Sequence, residues 1–230
     1  MNLKQYFLTE NDCYKAGQKI TVKGIMIHST GANNPCLNRY IAPDDGLLGQ
    51  NLYGNHWNQA KPGGIEVCAH AFIGKLKNGS VATYQTLPWN QKGWHAGGKA
   101  NDSHIGVEIC EDGMMDSDYF NKIYTEALEL CVYLCKMYGL TEKDILGHYE
   151  GFMKRIASNH ADPKHWFAIQ GTSMDAFRSD VSKRLSAVNA TDTKKVYRVQ
   201  VGAFSDKANA ETMLSRLKAA GYTEAYIKSE

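Results

Sequence analysis

The stretch TVKGIMIHST, residues 21–30, sets the fold: its β-branched, apolar body is bounded by Gly and by Ser/Thr, and it reads as a buried strand that ends at His28. Two further apolar segments, IEVCAHAFIG (65–74) and SVATYQTLP (80–88), are separated by KLKNG, whose Asn78-Gly79 pair predicts an antiparallel hairpin. HIGVEICED (104–112) and DILGHYEG (144–151) read as strands or strand ends. Between these two, Tyr119, Phe120, Ile123, Tyr124, Ala127, Leu128, Leu130, Cys131, Leu134, Cys135 and Tyr138 recur at three- and four-residue steps, which predicts a helix stopped by Gly139. A second helix is expected from about Ser173 to Ala187, because Met174, Phe177, Val181 and Leu185 share a face. Strands interleaved with helices, one pair of them a hairpin, predict an α/β fold: a central mixed β-sheet flanked by helices.

After Leu185 the pattern fails, and SAVNATDTKK is small, polar and aperiodic. The expected organisation is therefore a domain over 1–187, a linker over 188–195 and a small β-α-β segment over 196–230. In that segment VYRVQVGAF alternates with period two, SDKANAETMLSRLKAAG supplies a Ser cap and an amphipathic helix bearing Ala210, Met213, Leu214 and Leu217, and TEAYIK begins another strand. So short a unit buries little apolar area alone, and it reads as half of a larger module.

Of the 230 residues, 43% are hydrophobic and 22% charged, which excludes a disordered or coiled-coil chain. A formal net charge of +2 provides no field to hold a nucleic-acid backbone. No run approaches the roughly 20 apolar residues of a membrane helix, so membrane insertion is not expected. The N-terminus lacks the basic start and apolar stretch of a secretory signal. Six cysteines are too dilute in this length for a disulfide scaffold, and Cys131 and Cys135, four apart on one helical face, read as buried thiols.

Four positions carry candidate chemistry. His28 and His148 each stand where an apolar strand gives way to a polar segment, the place where sites form in open α/β sheets. The loop ASNHADPKHWF (157–167) offers His160, Asp162 and His165, with Pro163 fixing the backbone after Asp162. Two imidazoles and a carboxylate leave one open position on a tetrahedral zinc ion, the arrangement that activates water. Glu108 interrupts the apolar IGVEIC; it is either a general base or acid facing a cleft, or an outward residue of an alternating strand whose Val107 and Ile109 point inward.

In order, IMIHSTG, CAHAFIG, NGSVATYQTLP, GWHAGG, HIGVEICED, ILGHYEG and ASNHADPKHWF resemble the zinc-dependent N-acetylmuramoyl-L-alanine amidases of type 2, relatives of the peptidoglycan recognition proteins, including endolysins of clostridial phages and related cell-wall hydrolases. The resemblance spans roughly residues 15–187. It implies one Zn²⁺ per chain held by His28, His148 and Asp162, with Glu108 as the catalytic glutamate. At the position two before the last ligand, where the family often has Lys, this chain has His160; the resemblance implies an oxyanion-stabilising role there, and the alternative is that His160 replaces Asp162 as ligand. The implied substrate is bacterial peptidoglycan, cut at the amide between muramic acid and L-alanine. Trp94, His95, Trp89 and Tyr84 are expected to line the groove, and residues 34–62 to form a loop over the cleft, while His56, His70, His104 and His165 receive no role. The segment from Val196 resembles the first half of a SPOR repeat, which implies binding to glycan strands. With no signal peptide, the expected route is synthesis in the cytoplasm and action on the wall after phage or mother-cell lysis. A second reading is a recognition module of the same fold without catalysis, for which all four site residues together would be superfluous.

Overall fold

The computed structural model describes residues 1–113, 115–192, 199–222 and 225–228. The chain divides into two compact units, Met1–Val188 and Asn189–Glu230.

The first unit is built on strands β1 (Leu3–Gln5), β2 (Gly24–Ser29), β3 (Ala71–Lys75), β4 (Val81–Gln85), β5 (His104–Ile109) and β6 (Ile145–Gly147), with helices α1 (Asp12–Ala16), α2 (Ser117–Tyr138), α3 (His148–Met153), α4 (Lys164–Ile169) and α5 (Met174–Asp192). The six strands form one sheet in the order β1-β4-β3-β5-β2-β6, parallel throughout except for the β3–β4 hairpin. The expected mixed sheet flanked by helices is therefore present. At the hairpin Gly79 takes φ 82°, and Leu76 N–H donates to Ser80 C=O at 2.8 Å.

Alternation divides the sheet into two faces. Ile25 and Ile27 of β2, Ala71 and Ile73 of β3, and Ile105, Val107 and Ile109 of β5 pack with α2, α4 and α5 in the main core. Within α2 the apolar stripe is buried as its periodicity predicts; Asp116 accepts from Tyr119 N–H at the start, and Gly139, at φ 66°, ends the helix. Cys131 and Cys135 face this core, and all six cysteines are free thiols. On the opposite face Phe72, Tyr84 and Ala82 are covered by Leu37, Tyr40, Ile41 and Leu48. The loop 34–62 is thus largely a roof over the sheet. Tyr40 stacks on Phe72 with ring centroids 5.0 Å apart, so this part of the loop expected over the cleft is packed on the sheet.

Four elements lie outside the sequence reading: β1, α1, α3, which starts at His148 where a strand end is expected, and α4, which starts at Lys164 inside the expected loop. β1 adds a parallel edge strand, and α1 is a short helix capped by Asn11, whose side chain accepts from Cys13 N–H at 2.9 Å. α5 runs on to Asp192, so the first five residues of the expected 188–195 linker are helical; residues 193–195 lie outside the described residues.

Beyond the end of α5, the described residues of the second unit contain one helix, α6 (Lys207–Ala219). Its cap is Asp206, accepting from Ala208 N–H, in place of the expected Ser. Ala210, Met213, Leu214 and Leu217 are its half-buried positions, as the amphipathic pattern requires. The flanking strands are not formed where they are described: residues 199–204 and 225–228 are irregular, and Tyr197 and Arg198 lie outside the described residues. None of α6 is fully buried among the described residues.

Candidate metal centre

Parallel pairing of β5, β2 and β6 brings three strand ends together. His28 lies opposite Glu108 in register, and Ile27 opposite Gly147, which places His148 at the first turn of α3 beside His28. His28, Met26 and Glu108 alternate with core residues and so project from the sheet face away from α2. α3 can approach that face because Gly151 has no Cβ; one built there would stand 2.6 Å from Met26 Cε. Glu150 fixes the start of α3 by accepting from Gly147 N–H at 2.8 Å, and Arg178 clamps Glu150 through two hydrogen bonds of 2.8 and 2.9 Å.

One ligand atom each of His28, His148 and Asp162 lies within 4.8 Å of the others. His28 Nδ1 is 3.1 Å from Asp162 Oδ2 and 3.0 Å from His148 Nδ1. His28 and His148 are almost fully buried and Asp162 is half-buried, on the loop where its C=O accepts from Tyr149 N–H. His160 is not part of this group. It is exposed, and its Nδ1 sits 3.3 Å from His148 Nε2, on the side of that ring away from the cluster. The arrangement therefore favours Asp162 over His160 as third ligand.

The donor chemistry fits a borderline cation. Burial, helped by the neighbouring His28 charge, lowers the His148 pKa to about 4, which keeps that imidazole neutral and able to ligate. For His28, burial pulls the pKa down, but the hydrogen bond to Asp162 and the charges of Glu108 and Asp162 outweigh it and hold it above the ordinary value. A proton shared between Nδ1 atoms 3.0 Å apart relieves lone-pair repulsion, and a metal ion placed there does the same. Asp162 is pulled below the usual carboxylate range: burial opposes, and the His28 hydrogen bond and the His28 and His148 charges prevail.

Glu108 is 9% exposed, and its Oε2 has no hydrogen-bond partner. Burial raises its pKa to about 7, with His28 opposing and Asp162 and Glu111 adding to the rise. Val107 and Ile109 do point into the main core, as the alternating-strand reading holds. The face that Glu108 occupies is nevertheless covered, so its carboxylate is buried next to the cluster.

The residues expected to line a groove are placed differently. Tyr84 is fully buried, with its hydroxyl donating to Asp45 at 2.6 Å, and Trp89 is a core residue. Both are corrected to structural roles, since the sheet face that carries Tyr84 is roofed by loop 34–62. His95 is buried, not groove-lining, with Nδ1 2.9 Å from His28 Nε2. Trp94 remains half-buried against Cys13, Cys68 and Leu87. Among the histidines without an expected role, His165 Nε2 donates to the buried Glu111 at 3.0 Å, and His70 is enclosed beside His95.

Residues 18–165 match the family model N-acetylmuramoyl-L-alanine amidase, and residues 192–230 match the SPOR domain model. The chain belongs to the N-acetylmuramoyl-L-alanine amidase family. It is 26% identical over 240 aligned positions to the N-acetylmuramoyl-L-alanine amidase CwlL of Bacillus licheniformis, covering 94% of this chain and 59% of that protein. It is 40% identical over 70 residues to the amidase XlyA of Bacillus subtilis, covering 24% of this chain and 22% of that protein. The chain thus spans less than two thirds of the length of these curated relatives. Among solved structures, the catalytic domain of XlyA superposes with a TM-score of 0.54 at 22% identity, covering 79% of this chain and 99% of that one. Staphylococcus aureus AmiA in complex with its ligand gives 0.55 at 17%, covering 82% and 84%. At such identities these structures establish the shared fold. Among the described residues no helix is long and apolar enough to cross a membrane.

Proposed function

We propose that the first unit hydrolyses the amide bond joining N-acetylmuramic acid to L-alanine in bacterial peptidoglycan, with one zinc ion per chain held by His28, His148 and Asp162. The observation that carries this reading is the convergence of three ligand atoms within 4.8 Å beside a buried carboxylate with an unpartnered oxygen. Zinc bound there supplies Lewis-acid polarisation of the scissile carbonyl and acidifies water. Glu108, whose Oε2 has no other partner, takes the proton of the attacking water and returns it to the leaving amine. His160, exposed beside His148, donates a hydrogen bond to the developing oxyanion. Residues 192–230, on the strength of their match to the SPOR model, attach the chain to the same polymer.

The test combines zinc analysis of the purified chain with loss of turbidity of a cell-wall suspension, with and without chelator. About one zinc per chain and chelator-sensitive lysis are expected. Glu108→Gln should retain zinc and lose about 10²-fold or more in rate, as for a missing general base. A metal-free preparation that is fully lytic, or a Glu108→Gln variant of undiminished turnover, removes this mechanism. Zinc uptake with wall binding but no cleavage identifies a recognition module instead.

A further inference from the structure

Behind His28, on the side away from Asp162, the fold encloses a run of imidazoles. His95 Nε2 lies 3.0 Å from the His104 carbonyl, and His95 Nδ1 lies 2.9 Å from His28 Nε2. A carbonyl oxygen can only accept, so His95 carries its proton on Nε2 and presents a bare Nδ1. That lone pair in turn requires His28 to carry its proton on Nε2. The consequence falls on the other side of the ring: with Nε2–H given to His95, His28 turns its Nδ1 to His148 and Asp162. His148 is arranged in the same sense, with Nε2 3.2 Å from Ser158 Oγ and Nδ1 turned to the cluster.

The position of His95 is built with some care. Its backbone N–H and that of Ala96 both donate to Asn101 Oδ1, at 3.0 and 2.8 Å. Gly106 of β5 lies under its ring, and a Cβ there would stand 2.3–2.6 Å from ring atoms. A Cβ at Gly93 would meet the rings of both His70 and His95 at 2.7–2.8 Å. His70 closes the enclosure with its own proton fixed, Nε2–H donating to Gln91 C=O at 2.7 Å while Nδ1 accepts from Gly106 N–H at 2.9 Å.

We infer that His95 is a positioning residue of the metal centre, which sets the tautomer and ring orientation of His28 through a proton-ordered chain ending on the His104 carbonyl. The inference rests on the zinc reading for its purpose, but the Nε2–H of His28 that it requires exists with or without metal. A partner of this kind behind a ligating histidine typically contributes 10–100-fold to metal affinity.

Two measurements on the full chain test it. Long-range ¹H–¹⁵N correlation of the metal-free protein should show His28 and His95 both carrying a proton on Nε2. A His28 without a proton on Nε2 overturns the inference whether or not the chain binds zinc. Zinc affinity, measured by chelator competition, should fall about 10-fold or more in His95→Leu, which cannot accept from His28. It should stay within about threefold in His95→Asn, whose Oδ1 replaces the accepting Nδ1. Circular dichroism establishes that each variant is folded; if His95→Leu is not, the Asn variant and the tautomer measurement decide. Equal affinity in wild type and a folded His95→Leu, or an equal loss in Leu and Asn variants, refutes the positioning role. Failure of the wild-type chain to take up zinc removes the proposed function, and the tautomer result still stands or falls by itself.

Discussion

The two compact units contain equally legible amphipathic helices and differ in what those helices meet. α2 buries its stripe against a six-stranded sheet, whereas α6, with Ala210, Met213, Leu214 and Leu217 on one side, has no fully buried residue. Val199 is 89% exposed in the second unit and Tyr222 66%, while Ile25, Ile27 and Phe177 are wholly enclosed in the first. Amphipathic pattern is therefore a condition for burial and not its cause; a partner surface is also needed. Only the enclosed unit can hold Glu108 and neutral histidines at perturbed pKa, because desolvation requires walls on every side.

The largest effect that follows is on the enclosed side. Trp166 is 0% exposed, with its ring centroid 5.3 Å from Phe120 and 6.5 Å from Tyr119. It lies in α4, the short helix that follows Asp162 and Pro163. Trp166→Ala should destabilise the first unit by about 3–5 kcal/mol, read as a shift of the urea midpoint by circular dichroism. Because α4 anchors the segment carrying Asp162, zinc affinity should fall with it. A loss under about 1 kcal/mol would erase the contrast between the two units.

A smaller and opposite effect is expected at Glu108. Its folded-state pKa of about 7 stands above the 4.5 of a free glutamate, so the unfolded chain ionises first and the metal-free protein loses stability as pH rises from 4.5 through 7. Glu108→Gln removes that cost. At pH above 7 it should stabilise the metal-free chain by up to about 3 kcal/mol, and the gain should vanish below the pKa of a free carboxyl. Thermal denaturation of both proteins across pH checks the sign. A gain that does not depend on pH would mean that packing, and not the buried charge, separates the variants. Such a stabilised but slow variant is the expected trade where a site stores an unfavourable charge.

The same contrast explains which features could be read in the sequence. β2, β5, the hairpin and α2 follow from periodicity within a single segment. His28, Glu108, His148 and Asp162 stand out because each is a polar group at the end or in the middle of an apolar run, or beside Pro163; parallel pairing of β5, β2 and β6 brings the first three together, and the loop after α3 brings Asp162. Tyr84 was misplaced because alternation in VATYQ gives its face but not the roof that Tyr40 and Ile41 put over that face from forty residues away. His95 looked like a groove residue in GWHAGG. Its burial depends on Gly106, a gap in a different strand whose meaning appears only when the ring fills it. β1, three residues long, has no periodicity to detect. In the second unit VYRVQVGAF has a strand's alternation, and the part of it that is described, residues 199–204, is irregular.

The smallest effect sharpens the comparison from the exposed side. Leu214 is only half-buried, and the neighbours on its face are Ala210, Met213 and Leu217 of the same helix. Leu214→Ala removes little apolar area from an already wet surface, and alanine is at least as good a helix former. The change in stability should stay within about 0.5 kcal/mol, the range of ordinary surface substitutions, when the full chain is unfolded in urea. The same chemistry at a buried leucine of α2, such as Leu134→Ala, should cost about 2–5 kcal/mol. A loss at Leu214 comparable to that at Leu134 would show that the α6 face is enclosed in solution. If the loss also grew with protein concentration, the enclosing surface would be a second copy of the chain, since only association makes stability depend on concentration.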